Sequence, residues 1–178
     1  MPLGKTTITD HVSEGPGWMA WVQNRFWLLV PVLVLNLVLV GRLPPPLTPG
    51  SAGPDIPSWL AVSETLLRVV VFGAPLLMPL RLRAPGTRTA LTVYGFGFAA
   101  YVAAWAVVIW APTSSWSTSA VGFTALAWTP LLFLIGIGKG STLRSVPGYR
   151  PWMYLAAAVL FTAVHTAAMV ITWAWYYA

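Results

Sequence analysis

The chain contains no cysteine and few charged residues. Without cysteine there is no disulfide bond, thiolate metal ligand, iron–sulfur cluster or thiol nucleophile. Charged residues make up 8% of the sequence and hydrophobic residues 57%, whereas a soluble domain carries about 25% charged residues. A soluble protein this apolar would expose patches large enough to aggregate. The composition therefore predicts a single-domain integral membrane protein, rich in tryptophan.

Histidine is also scarce, with His11 near the N-terminus and His165 in an apolar stretch. Only one histidine lies within a predicted span, so a haem cannot be ligated by two histidines inside the membrane. A metal site with a single histidine and no cysteine is weak. We predict no metal site and no cofactor.

The net charge of +6 raises the question of nucleic-acid binding. The basic residues lie in short connections between apolar stretches, which is typical of anchoring against anionic lipid. The sequence has no basic helix and no basic patch interleaved with aromatic residues. We therefore predict contact with membrane lipids and no nucleic-acid partner.

Five apolar stretches approach or exceed the ~20 residues that an α-helix needs to cross a bilayer. They predict an all-α bundle of five transmembrane helices, at 26–41, 57–80, 89–111, 117–138 and 151–176. The segment 1–25 is predicted to be cytoplasmic and interfacial. No small-x-small cleavage site follows the first stretch, so we expect a retained helix and not a signal peptide. A four-span arrangement is the alternative.

The basic residues predict an orientation. With five spans, one side of the membrane collects eight of them and the other side only Arg42. Lysine and arginine accumulate in cytoplasmic loops, which predicts a cytoplasmic N-terminus and an external C-terminus in the cell membrane. The excess of arginine over lysine is typical of a GC-rich bacterial source. The eight are Lys5, Arg25, Arg81, Arg83, Arg88, Lys139, Arg144 and Arg150.

Aromatic and small residues give two further expectations. Tryptophan and tyrosine fall at the predicted span ends, where indole and phenol rings favour the headgroup region. In the third span Gly95, Ala99 and Ala103 recur at every fourth position, a spacing that lets a second helix approach closely. We expect this face of the third span to be a helix-packing face.

Two charged residues lie inside the second span. Glu64 and Arg68 are four positions apart and so share a helix face, with Arg68 near the middle of the span. A charge at the bilayer centre costs about 3 kcal/mol on insertion scales. We expect the pair to face the bundle interior, either as a salt bridge that orients the helix or as part of a ligand site.

Depth along each span brings further polar residues to the same level. At a rise of about 1.5 Å per residue, one polar residue from each other span falls close to the depth of Arg68. If these side chains face inward, they form one cluster. The candidate catalytic residues are Glu64 and His165, and the candidate ligand-binding residues are Arg68, Asn36, Tyr101 and Thr129.

This cluster supports three functional hypotheses. In the first, the bundle binds or converts a lipophilic small molecule such as an isoprenoid or lipid. Arg68 then holds an anionic or carbonyl group, while Glu64 and His165 transfer protons in an isomerisation, cyclisation or hydration. The second is an accessory or structural subunit with a membrane-protein partner or a homo-oligomer. A small transporter is favoured least, because few polar residues lie on the cytoplasmic side of Arg68. No motif assigns the chain to a known family.

Overall fold

The computed structural model describes residues 23–48, 53–82, 84–143 and 146–177, and over these ranges it is helical and contains no strand. The predicted all-α class is confirmed for this part of the chain. The predicted interfacial segment 1–25 lies almost wholly outside the described residues. Lys5, Arg83 and Arg144 also lie outside them.

Four helices of the described part are long and apolar enough to cross a membrane. Each lies within about one turn of a predicted span. They are Arg25–Arg42, Ser58–Leu77, Thr87–Trp110 and Pro151–Tyr177. The first contains the α-helix α1, Val30–Leu39, between two 3-10 turns. The second contains α2, Ser58–Gly73, and ends in a 3-10 turn at Ala74–Leu77, while the third is a continuous α-helix, α3.

The predicted fourth span, 117–138, is not one helix but a chain of short ones. They are α4, Ser115–Thr118; α5, Ala120–Phe123; α6, Ala125–Trp128; and α7, Pro130–Gly138. The last long helix, Pro151–Tyr177, is α8.

Local hydrogen bonds explain these breaks. Ser119 is extended at ψ 153°, and its hydroxyl accepts the N–H of Gly122 at 3.1 Å, which starts α5 afresh. Pro130 has no N–H to donate to the preceding turn. The apolar stretch Ala125–Gly138 that remains is about 20 Å long at ~1.5 Å per residue, shorter than the ~30 Å hydrocarbon core. The five-span count is therefore not established by helix length.

Two glycines bring α3 and α7 into close contact. A Cβ added at Gly97 would overlap the backbone of Leu132 and Phe133, and one added at Gly136 would overlap Tyr94. Only glycine allows the two backbones to approach this closely. The helices meet on a face of α3 different from the one the sequence predicts.

The face of Gly95, Ala99 and Ala103 that the sequence predicts for packing is not the face on which α3 meets α7. These three residues are exposed, and a Cβ added at Gly95 would meet nothing within 4 Å. Periodicity identified a small-residue stripe correctly but could not identify which stripe of α3 faces its neighbour.

Arg25 connects the ends of three segments at one end of the bundle. Its side chain is 6% exposed and donates to the carbonyls of Ile137, Lys139 and Gly140 at the end of α7, the last two at 2.9 and 3.1 Å. Its backbone N–H donates to Met78 after α2 at 2.8 Å. The last carbonyls of a helix have no partner within the helix, and a cation there is stabilised by the helix dipole. Arg25 is therefore a buried helix cap as well as a charge on the predicted cytoplasmic side.

The helices leave a gap beside α1. α2 packs on α8, and α3 packs on α7, while α7 also contacts α8. α1 packs on α3 less extensively than α7 does. Two hydrogen bonds, at different positions along α3, hold the first long helix to it. Tyr94 donates to the carbonyl of Leu28 at 2.6 Å, and Tyr101 donates to Oδ1 of Asn36 at 2.6 Å. Residues of α1 and α2 line a cavity in the space that remains.

Candidate functional site

The cavity between α1 and α2 has a volume of about 730 Å³. Small-molecule pockets usually have volumes of about 300–1,000 Å³. Its wall is mostly aliphatic and aromatic, with side chains from α1 and α2 on two sides and from α3, α6, α7 and α8 at the back. Four of the six candidate residues from the sequence line it: Asn36, Arg68, Tyr101 and His165.

Glu64 is not among the residues that line the cavity, but it connects two of them. Its Oε1 accepts a hydrogen bond from Nη2 of Arg68 one turn further along α2. The same oxygen lies 3.1 Å from Nδ1 of His165 on α8. The Glu64 and His165 side chains are 16% and 26% exposed, whereas that of Arg68 is 53% exposed. One carboxylate thus joins a guanidinium and an imidazole from two different helices.

The contact with Glu64 orients the imidazole of His165. Nδ1 is buried and lies at ion-pair distance from the carboxylate, although it makes no hydrogen bond of regular geometry. The ring also stacks on Phe161 one turn earlier, with centroids 5.6 Å apart and planes 10° apart. A nitrogen that faces a carboxylate is stabilised as N–H, so Nε2 is the nitrogen left to accept a proton or a hydrogen bond.

Tyr101 and Asn36 form the second polar pair. The hydroxyl of Tyr101 donates to Oδ1 of Asn36 at 2.6 Å, and Tyr101 is 5% exposed. This bond fixes the orientation of the Asn36 side chain, because it occupies the amide oxygen. The amide nitrogen, with two N–H donors, is then the part of Asn36 available to another group.

Thr129 is separate from the other candidates. It is 3% exposed, and its hydroxyl donates to the carbonyl of Ala125 in the preceding turn at 2.6 Å. It is not among the residues that line the cavity. Its hydroxyl, at the junction of α6 and α7, thus already donates to the backbone of α6.

Sequence reasoning missed Trp105 as a site residue. Trp105 lines the cavity, is 4% exposed, and its ring meets that of Tyr101 edge-on at 6.3 Å. Its indole N–H is buried beside the Tyr101 hydroxyl and makes no hydrogen bond of regular geometry among the described residues. Its position was a usable signal. It stands one turn from Tyr101 inside the third span, whereas most of the tryptophans lie near predicted span ends.

Four residues of the cavity wall are exposed, of which three are aliphatic and the fourth is Arg68. Leu33 on α1 is 40% exposed, and Val69 and Leu76 on the second long helix are 68% and 43% exposed. All three also line the cavity. Most of the exposed wall thus consists of side chains suited to lipid, at the level of the membrane-spanning helices.

No protein-family model, curated protein or solved structure matches the chain.

Proposed function

We propose that the chain is a multi-pass protein of the cytoplasmic membrane that binds or converts a lipophilic small molecule inside its helix bundle. The proposal includes five spans, with segment 117–138 crossing as a broken span, the N-terminus in the cytoplasm and the C-terminus outside. Short helices at membrane depth are tolerated where protein surrounds them, and α6 and α7 contain many buried residues.

The observation that supports ligand binding is the cavity of about 730 Å³ with polar residues in an apolar wall. Pockets for small molecules have this composition, because apolar walls supply affinity and a few polar groups fix orientation. Ionisable residues inside a membrane protein are costly and are often retained for function. Arg68 and His165 both line this cavity.

The geometry also supports acid–base chemistry. Nε2 of His165 is the proposed group that exchanges a proton with the bound molecule. Glu64 stabilises the opposite edge of the ring, and the proposed ligand contacts are Arg68, Asn36 and Tyr101. Isomerisation, cyclisation and hydration of an isoprenoid or lipid each require such a proton transfer. Thr129 is left out of this proposed site because it does not line the cavity and its hydroxyl donates to the backbone of α6.

A second candidate function is an accessory subunit of a membrane complex. Its support is that Glu64 and Arg68 are paired with each other, as expected for a salt bridge that only orients α2. The exposed faces of α1 and α2, including Leu37 and Leu66, would then contact a partner protein or a second copy of the chain.

Native mass spectrometry of the purified protein separates these functions. We expect wild type to retain a lipophilic molecule that is lost from Arg68→Leu and Glu64→Gln. The matched controls are Arg42→Leu and Asp55→Asn, which remove the same groups from exposed positions outside the cavity. Circular dichroism and thermal unfolding would verify that each variant is folded. Retention of no molecule by folded wild type, together with loss of a co-purifying protein from the variants, would favour the accessory subunit.

A further inference from the structure

Resting on the proposed function, the charges and donors of the cavity wall indicate the chemical class of the ligand. We infer that the ligand is an uncharged amphiphile whose polar end is an acceptor oxygen, most simply a carbonyl. The oxygen is held by N–H donors of Asn36, Trp105 and Arg68, and the rest of the molecule occupies the apolar wall.

The charge balance of the site excludes a charged ligand group first. Arg68 is the one Lys or Arg side chain among the described residues that line the cavity, and Glu64 already pairs with it. A carboxylate on the ligand would have to displace Glu64 or stay unpaired in a low-dielectric interior, which is costly. An ammonium group would find no carboxylate among the described residues that line the cavity. An uncharged polar group avoids both costs.

The hydrogen-bond inventory then selects an acceptor. The indole N–H of Trp105 is buried beside the Tyr101 hydroxyl and makes no hydrogen bond of regular geometry, and a poorly satisfied buried donor is unfavourable. The amide nitrogen of Asn36 retains its two donors, because the bond with Tyr101 uses the amide oxygen. Arg68 uses one of its five N–H donors on Glu64. The wall therefore offers more donors than acceptors.

Tyr101 brings two of these donors close to each other. Its hydroxyl is bonded to Asn36, and its ring is in edge contact with Trp105 one turn along α3. A carbonyl oxygen beside Tyr101 has two lone pairs and no hydrogen, which suits a pair of N–H donors. The exposed aliphatic residues Leu33, Val69 and Leu76 give a route for such a molecule directly from the lipid phase.

Four probes with the same farnesyl chain test this inference: farnesal, farnesol, farnesoic acid and farnesene. Their affinities for the purified full-length protein in nanodiscs would be measured at neutral pH by competition and native mass spectrometry. We expect farnesal to bind about fivefold or more tightly than farnesene, because its carbonyl oxygen gains a hydrogen bond to a buried donor. Farnesoic acid should bind more weakly than farnesal.

The variant Trp105→Phe removes the N–H donor and keeps an aromatic ring. We expect it to reduce the preference for farnesal over farnesene severalfold, because a change in cavity shape alters both affinities whereas loss of the donor alters only that for farnesal. Farnesene binding thus serves as the internal check that the cavity is intact. Trp110→Phe is the matched control, since Trp110 lies on the same helix, is exposed and does not line the cavity.

The outcomes distinguish this inference from the proposed function. Equal affinity for farnesal and farnesene, or tightest binding of farnesoic acid, overturns the acceptor assignment while ligand binding itself stands. Tightest binding of farnesol overturns it in favour of a group that must also donate. Failure of all four probes to bind the folded protein overturns both the inference and the proposed binding function.

Discussion

Glu64 lies between Arg68 and His165, accepting a hydrogen bond from the guanidinium while its Oε1 is 3.1 Å from Nδ1 of the imidazole. A single carboxylate on α2 therefore compensates a charge on its own helix and faces a titratable ring on α8. The three residues therefore have different positions: Arg68 and His165 line the cavity, whereas Glu64 contacts both of them and does not line it.

The first prediction concerns this ion pair. Glu64→Gln should destabilise the protein more than the double variant Glu64→Gln/Arg68→Leu does, because the single variant leaves a guanidinium unpaired inside a span. We expect a coupling energy of about 1 kcal/mol, near the low end of the usual range because half of the Arg68 side chain is exposed. Unfolding of the two single variants and the double variant in mixed micelles measures it. Strictly additive effects would show that the pair contributes no coupling.

The second prediction compares two tyrosines of α3. Tyr101→Phe and Tyr94→Phe each remove a hydrogen bond of 2.6 Å to the first long helix, and each should cost about 1 kcal/mol of unfolding free energy. Ligand affinity should fall only for Tyr101→Phe, because Tyr94 does not line the cavity and Asn36 would lose its fixed orientation. Thermal unfolding and the farnesal affinity of both variants test this difference. An equal loss of affinity in both variants would mean that the position of α1 matters and not the orientation of Asn36.

The depth of a residue along its span was more predictable from the sequence than the rotation of each helix about its own axis. The bounds of four apolar helices and the common level of Asn36, Arg68, Tyr101 and His165 follow from hydropathy and a rise of ~1.5 Å per residue. Which face of a nearly uniformly apolar helix turns inward depends on tertiary contacts. For this reason the sequence predicted packing at the stripe of Gly95, whereas Gly97 is the residue that approaches α7 closely.

The other differences between the sequence predictions and the structure have separate causes. Trp105 was missed because an aromatic residue within a span has no polar signature until its neighbours are known. The break in segment 117–138 depends on the Ser119 cap and on Pro130. Both interrupt the helix in a stretch whose length and hydropathy would otherwise suit a membrane span. Arg25 was assigned to a loop by its charge, but its burial depends on the distant end of α7.

The third prediction separates the two roles of Arg25. Arg25→Met removes three hydrogen bonds from the end of α7 and should lower the unfolding free energy by about 3 kcal/mol. Arg88→Met is the matched control, since Arg88 is exposed on the same predicted side of the membrane. It removes the same charge and should change stability by less than about 0.5 kcal/mol. Equal destabilisation of the two variants would indicate that charge on that side, and not capping, is what matters.

The fourth prediction tests the contact between α3 and α7. Gly97→Ala should destabilise the bundle by about 1–3 kcal/mol, because the added methyl group meets the backbone of Leu132 and Phe133 and the helices must move apart. Gly95→Ala places the same group where nothing lies within 4 Å and should be neutral or slightly stabilising. Thermal unfolding of the two variants in one detergent checks the contrast. Greater damage from Gly95→Ala would show that the exposed stripe is the packing face.

The fifth prediction tests whether segment 117–138 crosses the membrane. The chain has no cysteine, so a single introduced cysteine reports its own position without removal of native thiols. Thr113→Cys, Val146→Cys and Tyr177→Cys place the thiol at exposed positions before α4, before α8 and at the end of α8. With five spans, a membrane-impermeant maleimide added to intact cells should label positions 113 and 177 but label position 146 only after permeabilisation. If the broken segment stays on one side, position 146 is labelled together with 113, and 177 becomes protected. That pattern would establish a four-span protein, with the outer end of α8 reassigned to the cytoplasm.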